Sequence, residues 1–221
     1  MATHLDLEEQ EQLDQFNHFW SRWGNLIMGL ITAVLVVYAS YNGWKYWQQR
    51  QASQAAVLYD TFEKAAREAD VALLSRSLSD LQSQFGNTTY AQQAALLSAR
   101  IYVAKDKLAE ADKALQWQID NGKEEGYVAI ARLRLSALEI ERKNLDKANA
   151  LLQGQKAPIG FQPLFDDRLG DIAILQNKPE VAKPHYLAAW KGMDATSEYR
   201  RLIEVKLAAL GLNPLETESK Q

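Results

Sequence analysis

Between Trp23 and Trp44 the chain carries no charged residue, 22 positions in a row. In a helix rising about 1.5 Å per residue this run extends about 33 Å, close to the hydrocarbon thickness of a bilayer. Leu26, Ile27, Met28, Leu30, Ile31, Val34, Leu35, Val36 and Val37 supply its apolar mass on every side. A core helix of a soluble protein keeps a polar face, and this segment has none. Trp20 and Trp23 stand at one end, Tyr41, Trp44, Tyr46 and Trp47 at the other. Indole and phenol rings favour the membrane–water interface because they are apolar in body and polar at one edge. Arg22 and Lys45 bracket the run and can reach the headgroups. A cleavable signal peptide wants a short basic front, whereas residues 1–22 hold Asp6, Glu8, Glu9, Glu11 and Asp14 against Arg22 alone. The segment therefore predicts one uncleaved transmembrane helix over 23–47, with Gly24, Leu26, Ile31, Val34, Val37 and Trp44 among its membrane-spanning residues. Gly24, Gly29 and Gly43 offer notches for a neighbouring helix, though no G-x-x-x-G spaces them.

Orientation is left open by charge. Arg22 and the terminal amine precede the span; Lys45 and Arg50 follow it. That near-tie leans slightly towards a cytoplasmic large domain, and long domains cross membranes largely regardless of such counts. Of 28 acids and 25 bases in the 221 residues, removing the five front acids, Arg22 and Lys45 leaves residues 48–221 neutral. A net charge of −3 argues against an electrostatic nucleic-acid binder. The absence of cysteine excludes disulfides, zinc–thiolate sites and thiol chemistry.

Beyond Trp47 the periodicity is helical throughout. Residues 51–69 place Ala55, Leu58, Tyr59, Phe62 and Ala66 on one face, 71–85 follow, and Thr89 suits the N-cap of a helix reaching Ala104. Another helix covers 107–120 and stops at Asn121-Gly122. The chain then repeats itself. "LSARIYVAKDKLAEADKAL" (97–115), "LSALEIERKNLDKANALL" (135–152) and "LGDIAILQNKPEVAKPHYLAAW" (169–190) align. Each has a small residue in its first helix (Ala99, Ser136, Gly170), an alanine twelve residues later (Ala111, Ala148, Ala182) and a bulky residue four further on (Leu115, Leu152, Tyr186). Spacings of 37 and 34 residues between the alanines are those of a helix-turn-helix solenoid. Paired helices cross closely where side chains are small, and the bulky residue fills the next gap. The fold class expected is all-α: an N-terminal transmembrane helix followed by a tetratricopeptide-like solenoid. Its second copy is irregular, with Glu139 where an aromatic is usual. Residues 160–163 form a longer connection, and a helix at 197–210 caps the array with Arg200, Arg201, Glu204 and Lys206 on its wet side.

No P-loop, G-x-G-x-x-G or G-x-S-x-G is present, and His4, His18 and His185 form no ligand set, so an enzyme, a cofactor or a metal centre is not expected. Asp166, Asp167 and Asp171 include two acids at i, i+4, read as a solvated helix face or a contact for a cation or basic peptide. What remains is interaction. A concave face lined by the first helices of the pairs would present Gln93, Leu96, Arg100, Ile130, Leu133, Asp167 and Asp171, with no basic cluster to clamp a peptide carboxylate.

The acidic start "LDLEEQEQLDQFNHFW", the Gly24-Asn25 opening the span, the "NGWKYWQ" closing it (42–48) and the repeat body resemble the YfgM family. The resemblance implies an ancillary subunit of the SecYEG translocon in a bacterial inner membrane. It implies an acidic cytoplasmic segment (1–22), the span (23–47) and periplasmic repeats (48–211), to which the polar composition of the end adds a disordered tail (212–221). It also implies partners: SecYEG, a membrane-anchored periplasmic chaperone of the prolyl-isomerase type, and unfolded translocated chains to be handed to chaperones. The alternative is a membrane-tethered regulator or scaffold acting through the amphipathic front run Leu5, Leu7, Leu13, Phe16 and Phe19.

Overall fold

The computed structural model describes residues 7–215, and their side chains from Phe16 onward. The front residues 1–6 and the end of the tail, 216–221, lie outside that description, as do the side chains on which most of the regulator alternative rests. The described residues are helical, with no strand among them. The chain divides into two units, residues 1–51 and 52–221. Helix α1 (Leu7–Glu68) contributes to both.

In the first unit α1 is long and apolar enough to cross a membrane, by length and composition. Its apolar side chains are bare. Leu26, Ile31, Val34, Val37 and Trp44 are all exposed, Val37 at 69%. A core helix would have buried them, so that alternative is gone. Polar side chains within the stretch bond to their own helix: Thr32 Oγ1 donates to the Met28 carbonyl (2.8 Å) and Asn42 Nδ2 to that of Tyr38 (2.9 Å). Such back-bonds remove donors that hydrocarbon could not satisfy. Gly24 is covered by the Trp20 ring, 3.2 Å from where a Cβ would sit, while Gly29 and Gly43 face open space.

The second unit is a stack of helix pairs. Residues 52–68 of α1 share a core with α2 (Val71–Phe85), Ala55, Phe62 and Ala65 with Leu74, Leu78 and Leu81, while α3 (Thr89–Ala104) pairs with α4 (Leu108–Asn121), α5 (Glu125–Glu141) with α6 (Leu145–Ala150), and α7 (Gln162–Leu175) with α8 (Pro179–Gly192). Helix α9 (Glu198–Ala209) follows. Every pair turns by the same device. Ala69, Asp106, Lys143 and Asn177 adopt left-handed backbone, with φ of 52, 57, 63 and 58°. The amide of the next residue reaches back to close a wide ring: Asp70 to Ala65 (3.0 Å), Lys107 to Tyr102 (2.8 Å), Asn144 to Glu139 (2.8 Å) and Lys178 to Ala173 (2.9 Å). This double-bonded helix ending satisfies carbonyls that the helix itself leaves orphaned. A fifth copy, at Gly211 with φ 74°, ends α9, where Leu212 N bonds Leu207 O at 3.0 Å.

All nine repeat-packing positions read from the sequence are buried: Ala99, Ala111, Leu115, Ser136, Ala148, Leu152, Gly170, Ala182 and Tyr186. Helix α7 approaches α8 closely. A Cβ on Gly170 would lie 2.5 Å from Tyr186 Cε1, so only glycine admits that ring.

Several local expectations are corrected. Thr88, not Thr89, caps α3, its Oγ1 accepting from Ala91 N at 3.4 Å. The long connection spans 151–161 because α6 stops at Ala150, and α7 begins at Gln162 with Pro163 in its first turn. Glu139 replaces an aromatic because it accepts from Asn144 Nδ2 (2.7 Å) beside Arg142 (3.5 Å), making a polar turn instead of a packed one. Of the four charged residues expected on the outer side of α9, Arg201 is exposed and the other three are drawn inward. Arg200 stacks on the Trp190 ring (3.9 Å), Glu204 accepts from Trp190 Nε1 (2.9 Å) and Lys206 turns in towards α7. Leu202 and Val205 are exposed beside Arg201. Past α9, Pro214 is buried and Asn213 Oδ1 accepts from Leu215 N (3.2 Å), so order continues beyond the expected end at Leu212.

Candidate functional site

The first helices of successive pairs lie side by side, so residues one repeat apart share a surface. The seven residues read from the sequence as lining it fall into different environments. Leu96 is buried in the core formed by α1 to α5, Leu133 packs in the adjoining core around Leu152 and Phe165, and Ile130 is half-buried. Gln93 is half-buried, its Nε2 donating to Tyr127 Oη at 3.0 Å. Arg100 is exposed, with no hydrogen bond or ion pair among the described residues.

Asp167 and Asp171 do not form a solvated face. Asp167 is 1% exposed and accepts from Tyr199 Oη (2.6 Å) and Lys206 Nζ (2.7 Å). Asp171 accepts from Tyr186 Oη (2.8 Å) and from the same Lys206 (2.7 Å). One ammonium thus bridges two carboxylates on adjacent turns of α7 and, with the Tyr186 bond, ties α9 to α7 and α8. Burial, then the hydrogen bond to a carboxylate, pushes both phenols above their usual range, Tyr186 through Asp171 and Tyr199 through Asp167. Asp167 is consequently spent inside the protein. The i, i+4 spacing alone could not reveal this, because the partner lysine comes from α9, 35 and 39 positions away.

Other residues of this surface were not singled out from the sequence. Tyr59 and Tyr90 lie with ring centroids 5.3 Å apart, and Tyr127 receives the Gln93 bond, so three tyrosines from α1, α3 and α5 gather. Tyr59's phenol is raised by burial and by Glu63, Tyr127 and Tyr90 beside it. Arg134 reaches from α5 to α3, its Nη1 donating to the Leu96 carbonyl at 2.8 Å. The available signal was the 37-residue step from Tyr90 to Tyr127, one repeat. A separate cleft of about 190 Å³ lies by the α4–α5 turn, lined by Lys123, Arg132, Lys156 and Phe165 among others. Its Arg132 is already committed to the Leu151 carbonyl (3.1 Å).

A family model described as a tetratricopeptide repeat-like domain matches residues 17–212, most of the chain. A protein of Neisseria gonorrhoeae named ancillary SecYEG translocon subunit is 32% identical over 214 residues, covering 95% of this chain and 100% of that one. The chain belongs to the YfgM family. Two further relatives of the family carry the same name. That of Haemophilus influenzae is 27% identical over 95% of this chain and 98% of its own length. That of Escherichia coli is 23% identical over 92% and 97%. No solved structure matches the chain.

Proposed function

We propose that the chain is a single-pass accessory subunit of the Sec translocon in a bacterial inner membrane. Its N-terminus is cytoplasmic, α1 between Trp23 and Trp47 is the span, and the helix pairs stand in the periplasm. There they help pass translocated proteins to periplasmic chaperones, among them a membrane-anchored one of the prolyl-isomerase type. The observation that carries this reading is end-to-end similarity to proteins named ancillary SecYEG translocon subunit, joined to an apolar helix that the fold leaves bare. Lipid covers such a surface without cost, and an open notch such as Gly29 lets another helix approach. Photo-crosslinking residues introduced singly along 26–40 test it. Translocon subunits trapped from one helical stripe support the reading; uniform crosslinking to lipid, with no subunit captured, refutes it.

A further inference from the structure

The surface shared by α3 and α5 holds positive charge that no carboxylate among the described residues neutralises. The Arg134 guanidinium rests on the Leu96 carbonyl, one turn before Arg100 on α3. Burial, and then the neighbouring Arg100, lowers the Arg134 pKa from its usual value, so the two cations feel each other. Among the described residues neither has a carboxylate within 4.0 Å. Other cations of the same unit do meet carboxylates, Arg142 with Asp112 at 2.6 Å and Lys206 with Asp167 and Asp171. Like charges near one another repel, and the planar fork of a guanidinium matches a carboxylate, which would relieve that repulsion.

Tyr90 and Tyr127 lie towards the other end of the same two helices, with Tyr59 of α1 beside them. Tyr127 precedes Arg134 by two turns, about 10 Å along the axis, and Tyr90 precedes Arg100 by about 15 Å. Half-buried tyrosines offer rigid apolar ring faces at low entropic cost, and Gln93 already satisfies the tip of Tyr127. An extended chain advances about 3.3 Å per residue, so 10 Å corresponds to about three residues.

We propose that this face binds an extended polypeptide segment, an acidic side chain at Arg100 and Arg134 and an aromatic or apolar side chain about three residues away on Tyr59, Tyr90 and Tyr127. It deepens the translocon reading, on which it rests for where such segments come from, by naming the chemistry that the repeats select.

The test uses the full chain in lipid nanodiscs and fluorescence anisotropy of short serine–glycine peptides, amidated at the C-terminus and labelled with a neutral dye. One carries a phenylalanine three residues before two glutamates; a second has glutamines for the glutamates, a third alanine for the phenylalanine, a fourth lysines for the glutamates. The glutamate peptide is expected to bind at least about tenfold tighter than the glutamine peptide, and the alanine peptide several-fold more weakly. Arg100→Glu, at an exposed position that leaves packing alone, should abolish that preference and favour the lysine peptide. Equal binding of glutamate and glutamine peptides, or undiminished glutamate-peptide binding by Arg100→Glu, overturns the proposal. The crosslinks from 26–40 do not involve Arg100. Arginine-dependent peptide binding without translocon crosslinks would sink the translocon reading alone, and the reverse result would sink this one alone.

Discussion

Replacing Asp167 with alanine tests whether the acids of α7 hold the fold or wait for a partner. Asp167 is 1% exposed and receives two bonds, from Tyr199 Oη at 2.6 Å and Lys206 Nζ at 2.7 Å. A hydrogen bond to a charged group contributes about 1.5–3 kcal/mol, and stripping one partner from a buried ion pair costs about 3–5 kcal/mol. Two features reduce the loss. Lys206 keeps Asp171 at 2.7 Å, and Tyr199, 37% exposed, can turn its hydroxyl to water. The expected destabilisation is therefore about 2–4 kcal/mol. In a unit of this size each kcal/mol moves Tm by about 2–4 °C, so a fall of about 5–15 °C follows. Lys206→Met should cost at least as much, because it leaves two carboxylates facing each other. The assay is thermal and urea unfolding of the full chain in detergent, followed by circular dichroism and tryptophan emission. Trp190, buried at 1% and bonded to Glu204 of α9, contributes an emission change on release of that helix that Trp190→Phe would remove. Asp167→Ala within about 0.5 kcal/mol of the native protein, the scatter of ordinary surface changes, would refute the clamp and return these acids to the surface.

Gly170→Ala should destabilise by about 1–2 kcal/mol, the overpacking of a Cβ 2.5 Å from the Tyr186 ring outweighing about 1 kcal/mol of helix propensity; a raised Tm would show that the ring yields. Ala69→Gly should do the opposite and stabilise by about 0.5–1 kcal/mol, because φ is 52° there, a gain absent from unfolding curves if the turn is not left-handed in solution. Alkali should loosen the last two pairs. Tyr186 keeps its proton in the fold well above its ordinary range, while the unfolded phenol ionises near pH 10, so stability is full below about pH 10 and falls above it, by at most about 1.4 kcal/mol per pH unit. Tyr186→Phe should flatten that slope, and an unchanged slope would discount the phenol.

Much of this architecture is legible in the sequence because it rests on spacing. The uncharged run and the small–alanine–bulky repeats are local patterns, and a side chain's burial follows from them. What escaped is of two kinds. The first helix pair was not recognised as a repeat because its first helix is the end of α1, where the anchoring small residue is not marked; the left-handed residue at Ala69, matching Asp106, Lys143 and Asn177, declares it. The second kind is long-range pairing. Whether Asp167 is wet or buried depends on α9, and whether Arg100 has company depends on Arg134 reaching across from α5. Charge that looks solvent-facing on one helix is instead taken up by a neighbouring one, as Arg200 and Glu204 of α9 are by Trp190 of α8.

The central claim places the helix pairs on the far side of the membrane from the acidic front, and orientation tests it most directly. Alkaline phosphatase fused after Gln221 is active only outside the cytoplasm, and a fluorescent protein that matures only inside it gives the complementary reading. The account predicts phosphatase activity without fluorescence. Fluorescence without phosphatase activity would put the pairs in the cytoplasm, where no translocated chain could reach Arg100 and Arg134, and would contradict it.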